Sequence, residues 1–267
     1  MQREFLFSHT IDMKYIDTHT HLFSKQFNND RHEAVHRAID AGVEKMLLPN
    51  IDVESIEEMY ALCDSFKDNC LPMIGLHPSD VKADYETALA EIEAQFGKRD
   101  FIAIGETGLD YYWDTTFKEQ QKKSLLLHIR WAKEKRLPIV LHTRNSFEDT
   151  LEMIKAEKDQ NLTGIFHCFS GTKEDADKIM NVGFSMGIGG VLTFKNSGIA
   201  EVVAGIPIEY LVLETDSPYL APVPYRGKRN ESSYIPIIAQ KLAEVKNMSI
   251  EEVAKITTEN AKRLFNL

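Results

Sequence analysis

The sequence has no apolar run that approaches ~20 residues, the length that a membrane-spanning helix needs, so we predict no association with a membrane. It also has no excess of positive charge. Its 267 residues carry 31 lysines and arginines against 41 aspartates and glutamates, which gives a net charge of -10. This balance argues against non-specific binding of duplex nucleic acid over a broad basic face, although a local basic pocket is compatible with it.

Cysteine is scarce as well. The three cysteines, Cys63, Cys70 and Cys168, form no CxxC pair, and their odd number is typical of a protein in a reducing cytoplasm. The apolar run within residues 1–12 is too short for a signal peptide, and we interpret this segment as a native extension or a cloning remnant. No linker, repeat or low-complexity tract divides the rest of the chain, which favours one domain over residues 13–267.

What the chain does contain is a regular alternation of short apolar runs and amphipathic helical patterns. Eight runs predict strands, at residues 14–17, 43–49, 71–76, 101–106, 138–142, 163–167, 184–188 and 210–215. Because strands separated by helices form βα units on a parallel sheet, we predict an α/β protein with a single (β/α)8 TIM barrel. Ser249 and Glu252 form a capping box that begins an additional C-terminal helix, which would plug or flank the barrel.

Residues that can bind metals recur at the predicted strand ends. His19 and His21 are separated by one residue, so both side chains point to the same face of the first strand. Four more stand where later apolar strands end, on the face where barrel active sites lie: Glu106, His142, His167 and Asp216. Any one of them could be a hydrogen-bonded core residue. Five strand ends that offer only His, Glu and Asp together predict a metal centre.

Four histidines and two carboxylates are too many ligands for one ion and suit two ions held ~3.5–4 Å apart by a shared carboxylate. We predict that Glu106 is this bridge. The other ligands divide as follows: His19, His21 and Asp216 on one ion, His142 and His167 on the other. An imidazole-rich shell suits zinc, manganese, iron or nickel, and an open site with carboxylates can also use magnesium. The ions would lower the pKa of a bound water, and Asp216 would act as the general base.

Six motifs follow one another along the chain: IDTHTHL, GLHP, GETGLDYY, HCFSG, TDSPYLAP and RGKRNE. With NAKRLF near the C-terminus they resemble the TatD-type metal-dependent deoxyribonucleases of the amidohydrolase superfamily. The resemblance implies a TIM barrel, a centre of one or two metal ions, the same six ligands, and DNase activity from the 3′ end. Thr20 stands where cysteine is frequent. The chain reads RNESS where RNEP is commoner, so we expect a differently shaped loop after Asn230.

Two residues near the predicted ligands are candidates for contact with a substrate. His77, in GLHP, could donate to a substrate phosphate or to the leaving oxygen, or it could be a turn histidine stacked on Pro78. Tyr112, in the aromatic loop that follows Glu106, could stack a terminal base or belong to a small satellite core.

Three arginines are candidate phosphate contacts. Arg144 could face a phosphate or pair with Glu148 on the following helix. Arg226 and Arg229 lie in the basic segment YRGKRN, beyond a proline-rich loop. The planar fork of arginine matches phosphate oxygens two at a time, so we predict a phosphate clamp here, with a solvated surface loop as the alternative.

These observations predict a divalent-metal-dependent hydrolase, a deoxyribonuclease that trims single-stranded DNA from its 3′ end, as a monomer or weak oligomer. The alternative enzyme is an amidohydrolase or esterase for a small molecule. Related amidohydrolases often bridge their metals with a carboxylated lysine, and Glu106 in that role favours the nuclease. A scaffold without enzymatic activity is disfavoured, because the ligand set leaves room for water.

Overall fold

The computed structural model describes residues 13–267, so the interpretation of residues 1–12 lies outside the described residues. The described chain alternates strands and helices. The strands are β1 (Tyr15–Asp17), β2 (Val43–Pro49), β3 (Cys70–Met73), β4 (Ile104–Asp110), β5 (Ile139–Arg144), β6 (Gly164–Phe166), β7 (Ser185–Ile188) and β8 (Leu211–Leu213). The α-helices are α1 (Arg31–Asp40), α2 (Ile56–Ser65), α3 (Tyr85–Glu93), α4 (Lys118–Lys135), α5 (Phe147–Glu157), α6 (Lys173–Asn181), α7 (Ile199–Ala204), α8 (Ile235–Lys246) and α9 (Ile250–Phe265).

Every strand is parallel to its neighbour, and the strands follow one another in chain order. One sheet contains β1 to β3 and the other contains β4 to β8. Backbone hydrogen bonds join the two sheets at both seams. Ile74 donates to the carbonyl oxygen of Ala103 at 3.2 Å and accepts from Gly105 at 2.7 Å. Thr18 donates to Leu213 at 3.0 Å. This is the predicted (β/α)8 barrel.

The barrel interior is apolar and closed at one end by α9. One buried cluster takes a side chain from nearly every strand, which only the interior can bring together: Ile16, Leu47, Met73, Ala103, Val140, Ile165 and Val212. Ala261 and Phe265 of α9 belong to the same cluster. Asn260 of α9 also donates to Leu211 at the start of β8, at 2.8 Å. The C-terminal helix therefore plugs the amino-terminal end of the barrel, and the carboxyl ends of the strands are left for the site.

The predicted end of the fourth strand is wrong. We placed it at Glu106, where the apolar run stops, but β4 continues to Asp110 with all of its residues buried. Two glycines let it pass close to its neighbour β5. A Cβ at Gly108 would lie 2.0 Å from the carbonyl oxygen of His142, and Gly105 has the left-handed φ of 143°. The strand therefore carries buried polar side chains into the barrel mouth.

Within residues 13–267, no helix combines the length and the apolar character needed to cross a membrane.

Candidate metal centre

The first two histidines follow β1 directly and are buried. Their Nε2 atoms lie 3.2 Å apart. His21 is held by its other ring nitrogen, since Nδ1 lies 3.1 Å from the carbonyl oxygen of Pro49. A carbonyl can only accept, so Nδ1 of His21 carries the proton and Nε2 has a free lone pair. That lone pair faces His19 and the barrel mouth, as a metal ligand requires.

Glu106 lies between two groups of histidines and offers one oxygen to each. Its Oε2 is 3.1 Å from His19 Nε2 and 3.6 Å from His21 Nε2. Its Oε1 faces the second group, with the distances 2.7 Å to His167 Nε2, 2.9 Å to His142 Nδ1 and 3.3 Å to His77 Nε2. This is the arrangement that a carboxylate bridging two ions needs.

Asp216 lies on the side of the first group. Its Oδ1 is 3.6 Å from His21 Nε2 and 3.8 Å from His19 Nε2. Its backbone N–H donates to His19 at 2.9 Å, across the seam between β8 and β1. The side chain of Asp216 is 16% exposed, against 3% for that of Glu106. Asp216 is therefore the carboxylate of the centre that water can reach.

The spacing of the ring nitrogens fits divalent ions. In a tetrahedral zinc site, with Zn–N bonds of about 2.0–2.1 Å, neighbouring ligand nitrogens lie ~3.3 Å apart. The corresponding distances are 3.2 Å between His19 and His21 and 3.5 Å between His167 and His142. Lone pairs that converge so closely repel each other unless a cation or a proton lies between them. Three groups have ligand atoms that all lie within 4.8 Å of one another: His19, His21 and Glu106; His19, His167 and Asp216; and His77, Glu106 and His142.

The charges of the centre balance one another. Burial works to raise the pKa of Glu106, but His167, His77 and His19 outweigh it and hold this pKa well below its ordinary value. Burial likewise works against a charged His167, but Glu106 raises the pKa of this histidine well above the ordinary range. A buried anion surrounded by imidazoles is stabilised by positive charge, which a proton or a metal ion can provide.

A family model described as TatD related DNase matches residues 16–266 of the chain. The chain belongs to the TatD family. It is 42% identical over 252 residues to the uncharacterized metal-dependent hydrolase YabD of Bacillus subtilis, with 94% of this chain and 98% of the relative covered. It is 32% identical over 260 residues to a Pantoea ananatis protein named 3'-5' ssDNA/RNA exonuclease TatD, with 94% of this chain and 99% of that protein covered.

A solved TatD family structure has the same fold. YjjV of Escherichia coli, described as a TatD homologue, matches with a TM-score of 0.90 at 27% identity, over 96% of this chain and 100% of that chain. These comparisons confirm the predicted family, the barrel fold, the metal-dependent hydrolase class and the need for metal ions.

The two departures from the TatD family pattern touch each other. The hydroxyl of Ser232, the first serine of RNESS, donates to that of Thr20 at 3.1 Å. Thr20 also shares a hydrogen bond of 2.6 Å with Ser217, next to Asp216. All three hydroxyl residues are buried. The two positions therefore form a single buried polar contact in the segments that carry His19, His21 and Asp216.

Two carboxylates that we did not predict as site residues support the ligands from behind. Asp110 Oδ2 lies 2.9 Å from His142 Nε2, so Nδ1 of His142 is left for the metal. Asp110 is four residues after Glu106 on β4, and this even spacing on a strand places both on one face. The sequence contained this signal, but our placement of the strand end at Glu106 hid it. Glu214, beside His167, is the second carboxylate.

The aromatic loop after β4 lies at the rim. The side chains of Tyr112 and Trp113 are 53% and 71% exposed, and their backbone N–H groups donate to Asp110 at 2.9 and 3.4 Å. The guanidinium of Arg144 lies over both rings, 3.9 Å from the centroid of Tyr112 and 5.1 Å from that of Trp113. Glu148, the alternative partner of Arg144, lies 2.7 Å from Lys178 instead.

The structure separates the two arginines of the predicted phosphate clamp. Arg229 makes a bidentate pair with Asp30, at 2.6 and 2.7 Å, and lies over the ring of Phe27. Arg226 is exposed and stacks on Phe194, with 4.5 Å between its guanidinium carbon and the ring centroid. Arg229 thus fastens the loop to the start of α1, and Arg226 has no carboxylate partner among the ion pairs of residues 13–267.

One motif that resembles a zinc site is not part of any ligand group. The segment HEAVH on α1 matches HExxH, the helical signature of zinc proteases. His32 and His36 pack edge-on against Phe66, with ring centroids 5.2 and 5.3 Å away. Neither belongs to a group of three ligand atoms within the described part of the chain.

Proposed function

We propose that this TatD family hydrolase is a nuclease that removes nucleotides from the 3′ end of single-stranded DNA. The observation that carries the proposal is Glu106, whose two oxygens face two histidine groups, with Asp216 accessible beside one of them. A pair of ions held in this way suits a phosphodiester, because both the attacking and the leaving oxygen need stabilisation. The printed name of the Pantoea relative, an exonuclease for single-stranded DNA and RNA, supports the same substrate class.

His19, His21 and Asp216 would hold one ion, and His142 and His167 the other, with Glu106 shared. Bound divalent ions supply a lowered water pKa and stabilise the charge that develops on phosphate oxygens. Burial works to raise the pKa of Asp216, but the surrounding histidines outweigh it and keep this pKa below its ordinary value. Asp216 is therefore ionised and can accept the proton of the attacking water.

His77 belongs to a ligand group with Glu106 and His142, and within the proposed function it donates a proton. Its Nδ1 accepts from the backbone N–H of Ser79 at 3.1 Å. Nδ1 also lies 2.6 Å from the hydroxyl of Ser79, and a neutral ring that accepts at Nδ1 carries its proton on Nε2. That nitrogen points into the centre, 3.3 Å from Glu106 Oε1. A proton on Nε2 would serve a phosphate oxygen or the leaving group, which is the first of our two interpretations of GLHP and remains a prediction.

The rim offers contacts for a single strand. Tyr112 and Trp113 present exposed rings next to the centre, and an aromatic face can stack any base. Arg144 and Arg226 bring positive charge to the rim of an acidic protein. The contacts are few, which suits an enzyme that holds a chain end rather than a long duplex. We keep the cytoplasmic location and the monomeric or weakly oligomeric state as predictions.

A digestion assay tests the proposal. The protein, supplied with manganese, zinc or magnesium, is incubated with single-stranded DNA, duplex DNA, RNA and a simple ester. We expect stepwise shortening of single-stranded DNA from the 3′ end and protection by a 3′ blocking group. Asp216→Asn should reduce turnover ~10²–10⁴-fold, whereas His36→Gln, outside the centre, should not. Hydrolysis of the ester alone would contradict the proposal and support the small-molecule alternative.

A further inference from the structure

A buried carboxylate at the end of β8 crosses a neighbouring strand. Glu214 is fully buried, and its strand is separated from β6 by β7. The crossing point is Gly187 on β7. A Cβ at this glycine would lie 2.0 Å from Glu214 Oε2 and 2.5 Å from its Cδ. The side chain of Glu214 therefore occupies the space that any other residue at position 187 would fill.

Beyond β7, the carboxylate reaches the end of β6. Its Oε1 accepts a hydrogen bond from the backbone N–H of Cys168. The same oxygen lies 3.6 Å from Nδ1 of His167, whose Nε2 faces Glu106. The face of the His167 ring is also in contact, because it stacks on the ring of His19 with 4.0 Å between the centroids.

Two buried polar atoms at this contact lack a hydrogen bond. Within residues 13–267, neither His167 Nδ1 nor Glu214 Oε2 has a hydrogen-bond partner. A buried carboxylate is unfavourable unless positive charge or donors compensate it. The N–H of Cys168 provides one donor, which accounts for one of the two oxygens. The imidazole of His167, 3.6 Å from the same oxygen, is the ionisable group that contacts this carboxylate.

We propose that Glu214 is a positioning residue for the metal ligand His167, and that Gly187 is present to let its carboxylate cross β7. The negative charge of Glu214, with Oε1 3.6 Å from Nδ1 of His167, favours a proton on that nitrogen and so leaves the lone pair of Nε2 for the ion. The carboxylate also makes the imidazole a stronger base and fixes the plane of the ring. The inference concerns the metal centre alone and stands whatever bond the enzyme cleaves.

The other ligands have supports of different kinds. His21 donates to the neutral carbonyl of Pro49, whereas His142 has the carboxylate of Asp110. The second histidine group thus has two carboxylates behind it, and the first has a carbonyl. Because carboxylates strengthen the ligands they hold, we expect the removal of Glu214 to weaken one ion more than the other.

The decisive variant is Glu214→Gln. Its amide oxygen can still accept from Cys168, so the backbone contact is preserved while the charge is lost. We expect ~10–100-fold weaker binding of at least one ion, the usual effect of losing such an outer partner. Zinc affinity is measured by titration against a competing chelator. The visible spectrum of the cobalt-loaded protein is recorded as a second, separate readout. Neither readout uses a substrate, so failure here is distinct from failure of the proposed nuclease activity.

Two glycine variants complete the test. Gly187→Ala should displace the carboxylate and weaken metal binding in the same way. Gly164→Ala is the matched control, since a Cβ there also clashes in the barrel, 2.3 Å from the carbonyl oxygen of Ile139, but meets no carboxylate. It should lower the melting temperature without changing the ratio of the metal affinities. Wild-type zinc affinity and an unchanged cobalt spectrum in Glu214→Gln would overturn the proposal and leave Glu214 as a clamp on Cys168.

Discussion

Two histidines of the centre have different backbone neighbours at Nδ1. His21 faces the carbonyl of Pro49 and must keep its proton on Nδ1. His77 faces the backbone N–H of Ser79 at 3.1 Å and its hydroxyl at 2.6 Å, and we propose that its proton lies on Nε2. The first therefore presents a lone pair to the barrel mouth and the second presents an N–H. In the sequence both are histidines at strand ends, and nothing in the residue types assigns the roles.

His77→Gln tests this division at the level of the residue. If His77 donates a proton, turnover should fall by a factor of ~10²–10⁴ while both ions stay bound. Elemental analysis of the purified variant, beside single-turnover kinetics, separates the two effects. Loss of an ion from His77→Gln would show instead that Nε2 is a metal ligand.

A histidine outside the centre should make the protein sensitive to acid. His128 is fully buried, donates from Nδ1 to Ser124 at 2.8 Å and accepts from Leu76 at 3.0 Å. Burial lowers the pKa of His128 to about 4, from an ordinary value of 6.5. The unfolded chain therefore binds this proton first as the pH falls. Stability from the neutral ring is complete above pH ~6.5 and decreases by ~3 kcal/mol as the pH approaches 4.

The check compares wild type with His128→Gln by chemical denaturation at several pH values between 7 and 4. The free energy of unfolding of the wild type should decrease more steeply than that of the variant. Parallel curves would mean that His128 is not the group responsible. Both proteins retain the metal ligands, so the difference between the two curves isolates the buried imidazole.

At the scale of the elements, the loop after β8 is fastened to α1 by charge. Arg37 bonds Glu231 and Asp30, and Arg229 bonds Asp30, so two arginines and two carboxylates link the loop to the helix. The side chain of Arg229 lies over Phe27 as well. The sequence alone showed a basic cluster, but it could not show that one of its arginines has a partner almost 200 residues earlier.

Single alanine variants of this loop should behave differently from each other. Arg226→Ala should raise KM for oligonucleotides and reduce the slope of log affinity against log salt by ~0.7, the value for one phosphate contact on a single strand. Arg229→Ala should lower the free energy of unfolding by ~1 kcal/mol, since its pair is partly exposed. Hydrolysis rates at several salt concentrations, together with urea unfolding, distinguish them. Equal changes in both variants would show that the loop acts as a unit.

A strand could be predicted from the sequence where its apolar run ends at a polar residue. His19, His167 and Asp216 follow strands at the point where apolar residues stop, and the eight strands were found from this pattern, whereas the C-terminal helix was found from its capping box. β4 broke the rule, because Glu106 is buried inside it. The reach of Glu214 to His167 depends on a glycine of the strand between them, and such a contact between three strands leaves no local sequence pattern.

At the scale of the whole molecule, one end of the barrel is built for stability and the other for chemistry. α9 closes the amino-terminal end with Phe265 and Ala261, while the predicted metal ligands follow β1, β6 and β8 or lie within β4 and β5 and face the barrel mouth. This division follows from the parallel arrangement, which places all strand starts on one side. Stability and activity can therefore be changed separately.

Phe265→Ala should lower the stability of the protein without changing its activity. Phe265 is 3% exposed in the barrel interior, so truncation should cost ~3–5 kcal/mol of unfolding free energy. The activity of the folded fraction and its metal content should be unchanged, because the centre lies at the other end. Denaturation curves and activity per bound ion are the measurements, with Leu267→Ala, an exposed neighbour, as the control. A proportional loss of metal would mean that the two ends are coupled.

The seam between β8 and β1 has a consequence for the order of events during synthesis on the ribosome. Five of the six predicted ligands emerge before Asp216, which is fixed only when its N–H meets His19 across that seam. A nascent chain that still lacks β8 can gather histidines and Glu106, but it has neither the closed ring nor the proton acceptor. If Asp216 has the proposed role, we expect hydrolytic competence to arrive late, after β1 to β7 have left the exit tunnel.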